Sequence, residues 1–235
     1  MTIKSQISKA VHFFNPLNLD NRGGLLIPVN LKIKDRDYCK YRHLKMNPYI
    51  NSLTSEDLPC EFSKKAVRLV DVFRRKTIDL DYEVMLIFDY VTSEIIYCFV
   101  NDEGAMNEVK GCVDKDILLN YNIVVMHNHP MEFGNPPSAK NFQILNSDFQ
   151  DYEIISSFNE LWWIESKNRI FQDVDDIKES IQDLYLFARG ISEEKYDDEY
   201  EIFLKANELY GELLLRYINN LGLNIKIIKR SFSNG

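Results

Sequence analysis

IVVMHNHPMEFGNPPSAKNF, residues 123–142, is the stretch on which the reading of this chain turns. It opens with a run of β-branched and large apolar residues, Ile123 to Met126, and Pro130 closes the run because a proline cannot donate to a sheet ladder. This predicts a buried strand that ends at the His-Asn-His triplet. On a strand, side chains at i and i+2 share a face. His127 and His129 therefore stand side by side, about 7 Å apart along the chain and able to converge on one ion. The chain has four histidines in all, and two of them fall here. A single histidine at this place would be read as structural. A pair at the mouth of an otherwise apolar strand is poorly explained by packing and predicts a metal site. After the proline, MEFGNPP reads as loop, and Ser138 is placed to cap a helix running to about Leu145.

Upstream, Ser63 is the N-cap of an amphipathic helix over 64–76, with Ala66, Val67, Val70 and Phe73 at helical spacing. YEVMLIFDY and EIIYCFV follow as two apolar runs separated by Val91-Thr92-Ser93, a hairpin. A short helix begins at Asp114 and leads into the histidine strand. Downstream, EIISS and ELWWIES, joined by Phe158-Asn159, predict a second hairpin. Trp162 and Trp163 would then face opposite sides, with the C-terminal helices covering the outer ring in part. From Asp173 the period becomes helical. Ile177, Ile181, Leu184, Tyr185 and Ala188 mark one helix, ended by Gly190. Phe203, Leu204, Tyr210, Leu214, Tyr217, Ile218 and Leu221 mark another, ended by Gly222. These acidic helices read as packing elements with solvated outer faces. LNIKIIKR adds a terminal strand. LLIPVNLKI (25–33) is a further candidate strand in an N-terminal part, residues 1–62, that carries no chemical signature.

The composition bounds the function. In 235 residues, 45% are hydrophobic, with nine Gly and seven Pro, an ordered globular profile. The net charge of −8 argues against nucleic-acid binding, which needs a concentrated basic surface. Cys39, Cys60, Cys98 and Cys112 are widely spaced, with no C-x-x-C pair. They read as reduced, mostly buried thiols, and Cys98 and Cys112 have no histidine close in sequence, which argues against a thiol protease. There is no signal peptide and no run of about 18 apolar residues, so the expectation is a soluble cytoplasmic protein without membrane partners.

The stretch 123–142, with the elements around it, resembles the JAMM/MPN (JAB-type) zinc metalloprotease family, closest in style to bacterial and phage-type JAB domains. The likeness rests on a strand ending in His-x-His-Pro, a loop, and a Ser-x-x position opening a helix. It runs from about residue 63 to 170 in the order helix, hairpin, short helix, His-x-His strand, loop, helix, hairpin. It implies an α/β fold, a three-layer α/β/α sandwich with a mixed sheet, similar to cytidine deaminases. The domain division is then 1–62 as an N-terminal extension, 63–170 as the JAB/MPN-like domain and 171–235 as a C-terminal helical extension. The resemblance further implies a zinc cofactor held by His127, His129 and position 141, with water completing the tetrahedron. Glu83 would be the general acid/base and Ser138 the oxyanion helper. Glu94, Glu103 and Glu108 are rivals to Glu83 by composition, but only Glu83 follows the helix and opens the first apolar strand. The implied activity is zinc-dependent hydrolysis of a peptide or isopeptide bond, with ubiquitin-like or other peptide linkages as substrates. The contiguous triplet is not the HNH nuclease signature, whose residues are dispersed through a ββα fold.

The chain departs from the family at the third ligand. Asn141 stands where the family has Asp, and the loop from Pro130 to Ser138 is one residue longer than the commonest spacing. An amide oxygen is a neutral and weaker zinc ligand than a carboxylate. Asp148, about 10 Å further along a helix, and the still more distant Asp151 are not placed to substitute. Three readings follow: a site with weakened or altered metal binding, a pseudoenzyme, or an engineered Asp-to-Asn change. The alternative from another class is a non-catalytic MPN-like scaffold or binding module in a larger complex.

Overall fold

The computed structural model describes residues 53–77, 83–100, 113–129, 136–157, 160–166 and 173–229. Within them the fold is mixed α/β. Helix α1 (Lys64–Thr77) starts at its predicted cap, where Ser63 Oγ accepts the Ala66 N–H at 3.2 Å. Strands β1 (Val84–Asp89) and β2 (Ile95–Val100) form the first hairpin. Helix α2 (Lys115–Leu118), capped by Asp114, precedes β3 (Ile123–Asn128). The segment capped by Ser138 is a 3-10 helix, Ala139–Asn146. Then come β4 (Gln150–Ser156), β5 (Glu160–Glu165), α3 (Val174–Glu193), α4 (Glu199–Asn220) and β6 (Ile225–Lys229).

The six strands form one sheet in the order β2-β1-β3-β4-β5-β6. Every neighbouring pair is antiparallel except β3 and β4, which run parallel. Period-2 alternation divides the side chains between two faces. On one face Val84, Leu86, Phe88, Val124, Met126, Tyr152, Ile154, Leu161 and Trp163 pack against the apolar stripe of α1 and against Leu58 and Phe62. On the other, Ile155, Trp162, Ile164 and Ile225 pack against the 3-10 helix, α3 and α4. A smaller cluster on that second face joins Ile87, Tyr97, Phe99, Ile123 and Val125 to Leu118 of α2. His127 lines a cavity together with residues of both second-face clusters.

Two details differ from the sequence reading, each for a local reason. Gly190 does not end α3, which continues to Glu193. A Cβ at Gly190 would meet nothing within 4 Å, so this glycine sits on an open helical surface and not at a turn. Gly222, by contrast, takes the left-handed conformation (φ 68°) that ends α4. Trp162 and Trp163 do face opposite sides, yet both are buried because both faces are covered. Cys98 is buried and Cys60 exposed, while Cys39, Cys112 and the candidate strand 25–33 lie outside the described residues. The segment after residue 170 is built into the sheet, since β6 pairs with β5. Among the described residues, no helix is long and apolar enough to cross a membrane.

Candidate functional site

The second-face register brings His127 opposite Met85 of β1 and Ile155 of β4. The chain stays extended for one more step, because His129 N–H donates to Ser156 O at 2.9 Å. The two imidazoles therefore emerge on the same side, as period 2 requires. Their Nε2 atoms lie 3.2 Å apart, with ring centroids at 5.1 Å and planes inclined by 52°. Asn128, between them, points the other way. Its Oδ1 accepts the Val84 N–H at 2.7 Å and so fixes the start of β1, next to Glu83.

Glu83 lines the same cavity as both histidines, of about 770 Å³, together with Ser138 and Asn141. Glu94 does not come near. It is bound into the turn at the Asp89 end of β1, where its carbonyl accepts the Asp89 N–H, and the six-residue strand puts about 20 Å between the two ends. Glu103 and Glu108 lie outside the described residues.

Asn141 is held from the Ser138 side. Its Oδ1 accepts the Ser138 backbone N–H at 2.7 Å and the Ser138 Oγ–H at 3.0 Å. A backbone N–H can only donate, so it dictates which end of the amide faces it. The amide NH₂ is thereby turned toward the histidines, with Nδ2 3.0 Å from His127 Nε2. The Ser138 segment is in turn anchored from behind. Tyr210 of α4 donates its hydroxyl to Pro137 O at 2.6 Å, and Phe142, Ile144 and Leu145 sink into the core shared with α3 and α4.

Two residues of this arrangement were not singled out from the sequence. Glu153 of β4 is buried beside His127, with Oε1 3.0 Å from Nδ1, off the line of the ring N–H. Gln150 donates its side-chain amide to the other oxygen of Glu153 and to Tyr152 O. The available signal was a charged residue flanked by Tyr152 and Ile154 in a strand with a buried register. Asp148 and Asp151 do not line the cavity, whose described carboxylates are Glu83 and Glu153.

Electrostatics separates the two rings. Burial pushes the His127 pKa down, but the adjoining Glu153 and the charge of Glu83 outweigh it and hold the imidazole above its ordinary range. Burial and the charge at His127 hold His129 well below that range.

The donor set can be tested against a zinc ion. Ligand atoms about 2.0–2.1 Å from a tetrahedral zinc lie about 3.3 Å from one another, close to the separation of the two Nε2 atoms. The imidazoles fit. The amide as oriented does not, because an NH₂ group offers no lone pair to a metal. Accordingly, no three His, Cys, Asp or Glu side chains group around one point among the described residues.

No family model, no curated protein and no solved structure matches this chain.

Proposed function

We propose that this chain is a JAMM/MPN-type domain with the three-layer α/β/α fold of that family, and that its site is a zinc peptidase or isopeptidase centre disabled at its third ligand. The observation that carries the reading is the convergence of His127 Nε2 and His129 Nε2 at 3.2 Å in a cavity also lined by Glu83 and Ser138. The element order from α1 to β5, helix, hairpin, short helix, histidine strand, helical segment and hairpin, supports the reading. In an intact site of this kind the ion acidifies a water and polarises the scissile carbonyl. Glu83 is the group that takes a proton within the cavity and returns it to the leaving amine. Ser138 Oγ is the hydrogen-bond donor for the developing oxyanion. The substrate class is a peptide or isopeptide linkage, with ubiquitin-like tails as the first candidates.

A second reading, a non-catalytic MPN-like scaffold or binding module, is favoured by the orientation of Asn141. With its NH₂ toward the histidines, position 141 supplies a hydrogen bond where a catalytic site needs an anionic ligand. One experiment separates the two. Zinc content and hydrolysis of ubiquitin-like fusions are measured for the chain as it stands and for Asn141→Asp. A gain of stoichiometric zinc and of turnover in the Asp form supports the disabled-peptidase reading. An Asp form that binds no zinc, or binds it and cleaves nothing, leaves the scaffold reading.

A further inference from the structure

We propose that Glu153, aimed by Gln150, is a positioning residue that holds His127 in the tautomer with its proton on Nδ1, so that the Nε2 lone pair faces the point where the two imidazoles converge. Two edges of one ring lead independently to this conclusion. On the inner edge, Nδ1 meets Glu153 Oε1 at 3.0 Å. The Glu153 side chain is only 9% exposed, and a carboxylate oxygen there is an acceptor for the ring, which favours a proton on Nδ1. On the outer edge, Nε2 meets Asn141 Nδ2 at 3.0 Å. Ser138 N–H occupies the amide oxygen, so the Asn141 group facing Nε2 is a pure donor that Nε2 accepts from, while His129 Nε2, 3.2 Å from the same nitrogen, can take either role. Both edges require the same tautomer.

Gln150 makes the assignment directional. Its side-chain NH₂ donates to Glu153 Oε2, which leaves Oε1 for the ring. The result is a row of polar side chains in contact, Gln150–Glu153–His127–Asn141–Ser138, spanning β4, β3 and the 3-10 segment, in which the Glu153–Nδ1 link is a 3.0 Å charge contact off the line of the ring N–H and the others are hydrogen bonds. It holds one imidazole in ligand geometry without any ion. A carboxylate behind a histidine is a general device for fixing ring orientation and raising ligand basicity, and its loss lowers metal affinity by about 10- to 100-fold.

The tautomer part stands alone, and the metal part rests on the function proposed above. The first measurement is long-range ¹H–¹⁵N correlation of the histidine rings in the unmodified chain, above the histidine titration range. His127 is expected to show a protonated Nδ1 and a bare Nε2. The second is the same spectrum for Glu153→Gln. That side chain keeps its size but has one acceptor oxygen for two donors, Gln150 and Nδ1–H, so the Nε2–H form should gain population. The third is zinc affinity in the Asn141→Asp form, where adding Glu153→Gln should lower it by about tenfold or more. A His127 that carries its proton on Nε2 in the unmodified chain overturns the assignment. So does a Glu153→Gln protein with unchanged tautomer and unchanged zinc affinity. If the Asn141→Asp form binds no zinc with Glu153 intact, the metal reading fails, and the spectrum of the unmodified chain still decides the role of Glu153.

Discussion

Replacing Asn141 by Asp changes one atom group, and the geometry sets a lower bound on its effect. For Asn141 to offer its oxygen to an ion, the amide must turn over, bringing NH₂ against the Ser138 N–H now bonded to Oδ1 at 2.7 Å. It also gives up the bond from Ser138 Oγ at 3.0 Å. Each is worth about 0.5–1.5 kcal/mol net of exchange with water, so the turn costs about 1–3 kcal/mol. At about 1.4 kcal/mol per decade this is roughly fivefold to a hundredfold in affinity. Aspartate needs no turn, because one oxygen keeps both Ser138 bonds while the other faces the imidazoles. The charge effect adds in the same direction. Zn²⁺ with two neutral imidazoles and an amide is a +2 centre, whereas a carboxylate makes it +1 and binds the ion more firmly. Asn141→Asp should therefore raise zinc affinity by at least about tenfold. The assay is competition with a chromophoric chelator at fixed pH, with metal analysis of protein purified without chelator. If the Asn141 chain already holds one zinc as tightly as the Asp form and turns over substrate equally fast, the account of position 141 is refuted and another group completes the site.

Three further outcomes are expected. In the Asn141→Asp background, Glu83→Gln should lower peptide hydrolysis by about 10²–10⁴-fold while leaving zinc affinity within a few-fold; a fall in metal binding equal to the fall in rate would remove Glu83 from its proton-transfer role. Tyr210→Phe removes the buried hydroxyl that reaches Pro137 O at 2.6 Å and should cost about 1–2 kcal/mol in urea unfolding. In the Asp form it should weaken zinc binding as well, and a stability loss with unchanged affinity would show that the anchor does not set the position of residue 141. Asp89 accepts from Val91 N, Thr92 N, Thr92 Oγ1, Asn122 N and Asn122 Nδ2. Burial pushes its pKa up, but the bonds from Thr92 and Asn122 outweigh it and hold the carboxyl below the usual range. Its folded pKa is thus below its unfolded value, so its contribution is present above the ordinary carboxyl range near about 3.9 and is lost as pH falls through the folded value. Asp89→Asn, whose NH₂ faces donors on one side, should cost about 1–3 kcal/mol at neutral pH and should flatten the acid limb of stability; an unchanged acid limb would count against the assignment.

Much of this arrangement is legible in the chain itself, for reasons that differ from residue to residue. Period 2 on a strand is a rigid rule, and it places His127 and His129 together without knowledge of any partner strand. Helix caps are equally local, which is why Ser63, Asp114 and Gly222 could be read directly. The start of β1 beside the histidine strand could be read only through a resemblance, because it depends on β1 pairing with β3 across the 41 residues between Met85 and His127. Glu153 was not legible. Its role depends on the parallel pairing of β3 with β4 and on the one-residue irregularity between Ile123 and Val124 that sets the register. The direction of the Asn141 amide depends on a single backbone N–H, which no residue pattern reports.

The candidate site draws its groups from two differently supported parts of the fold. His127 belongs to the centre of the sheet, where β3 is paired on both sides, and His129 follows just past its end, tied to β4 by its N–H on Ser156 O. Their geometry is fixed by ladders of backbone hydrogen bonds and by Glu153 behind one ring. Ser138 and Asn141 belong to a 3-10 segment with poorer intrinsic hydrogen bonding, seated by Phe142, Ile144 and Leu145 against α3 and α4 and by Tyr210 on Pro137. The register between the two parts is therefore set by how the C-terminal helices pack, which makes residues 173–220 part of the site's architecture. On the proposed function, an amide at 141 replaces an anionic ligand with little disturbance, since Ser138 supplies the same two donors to either side chain. The fold tolerates the exchange, and the chemistry at the imidazoles is what changes.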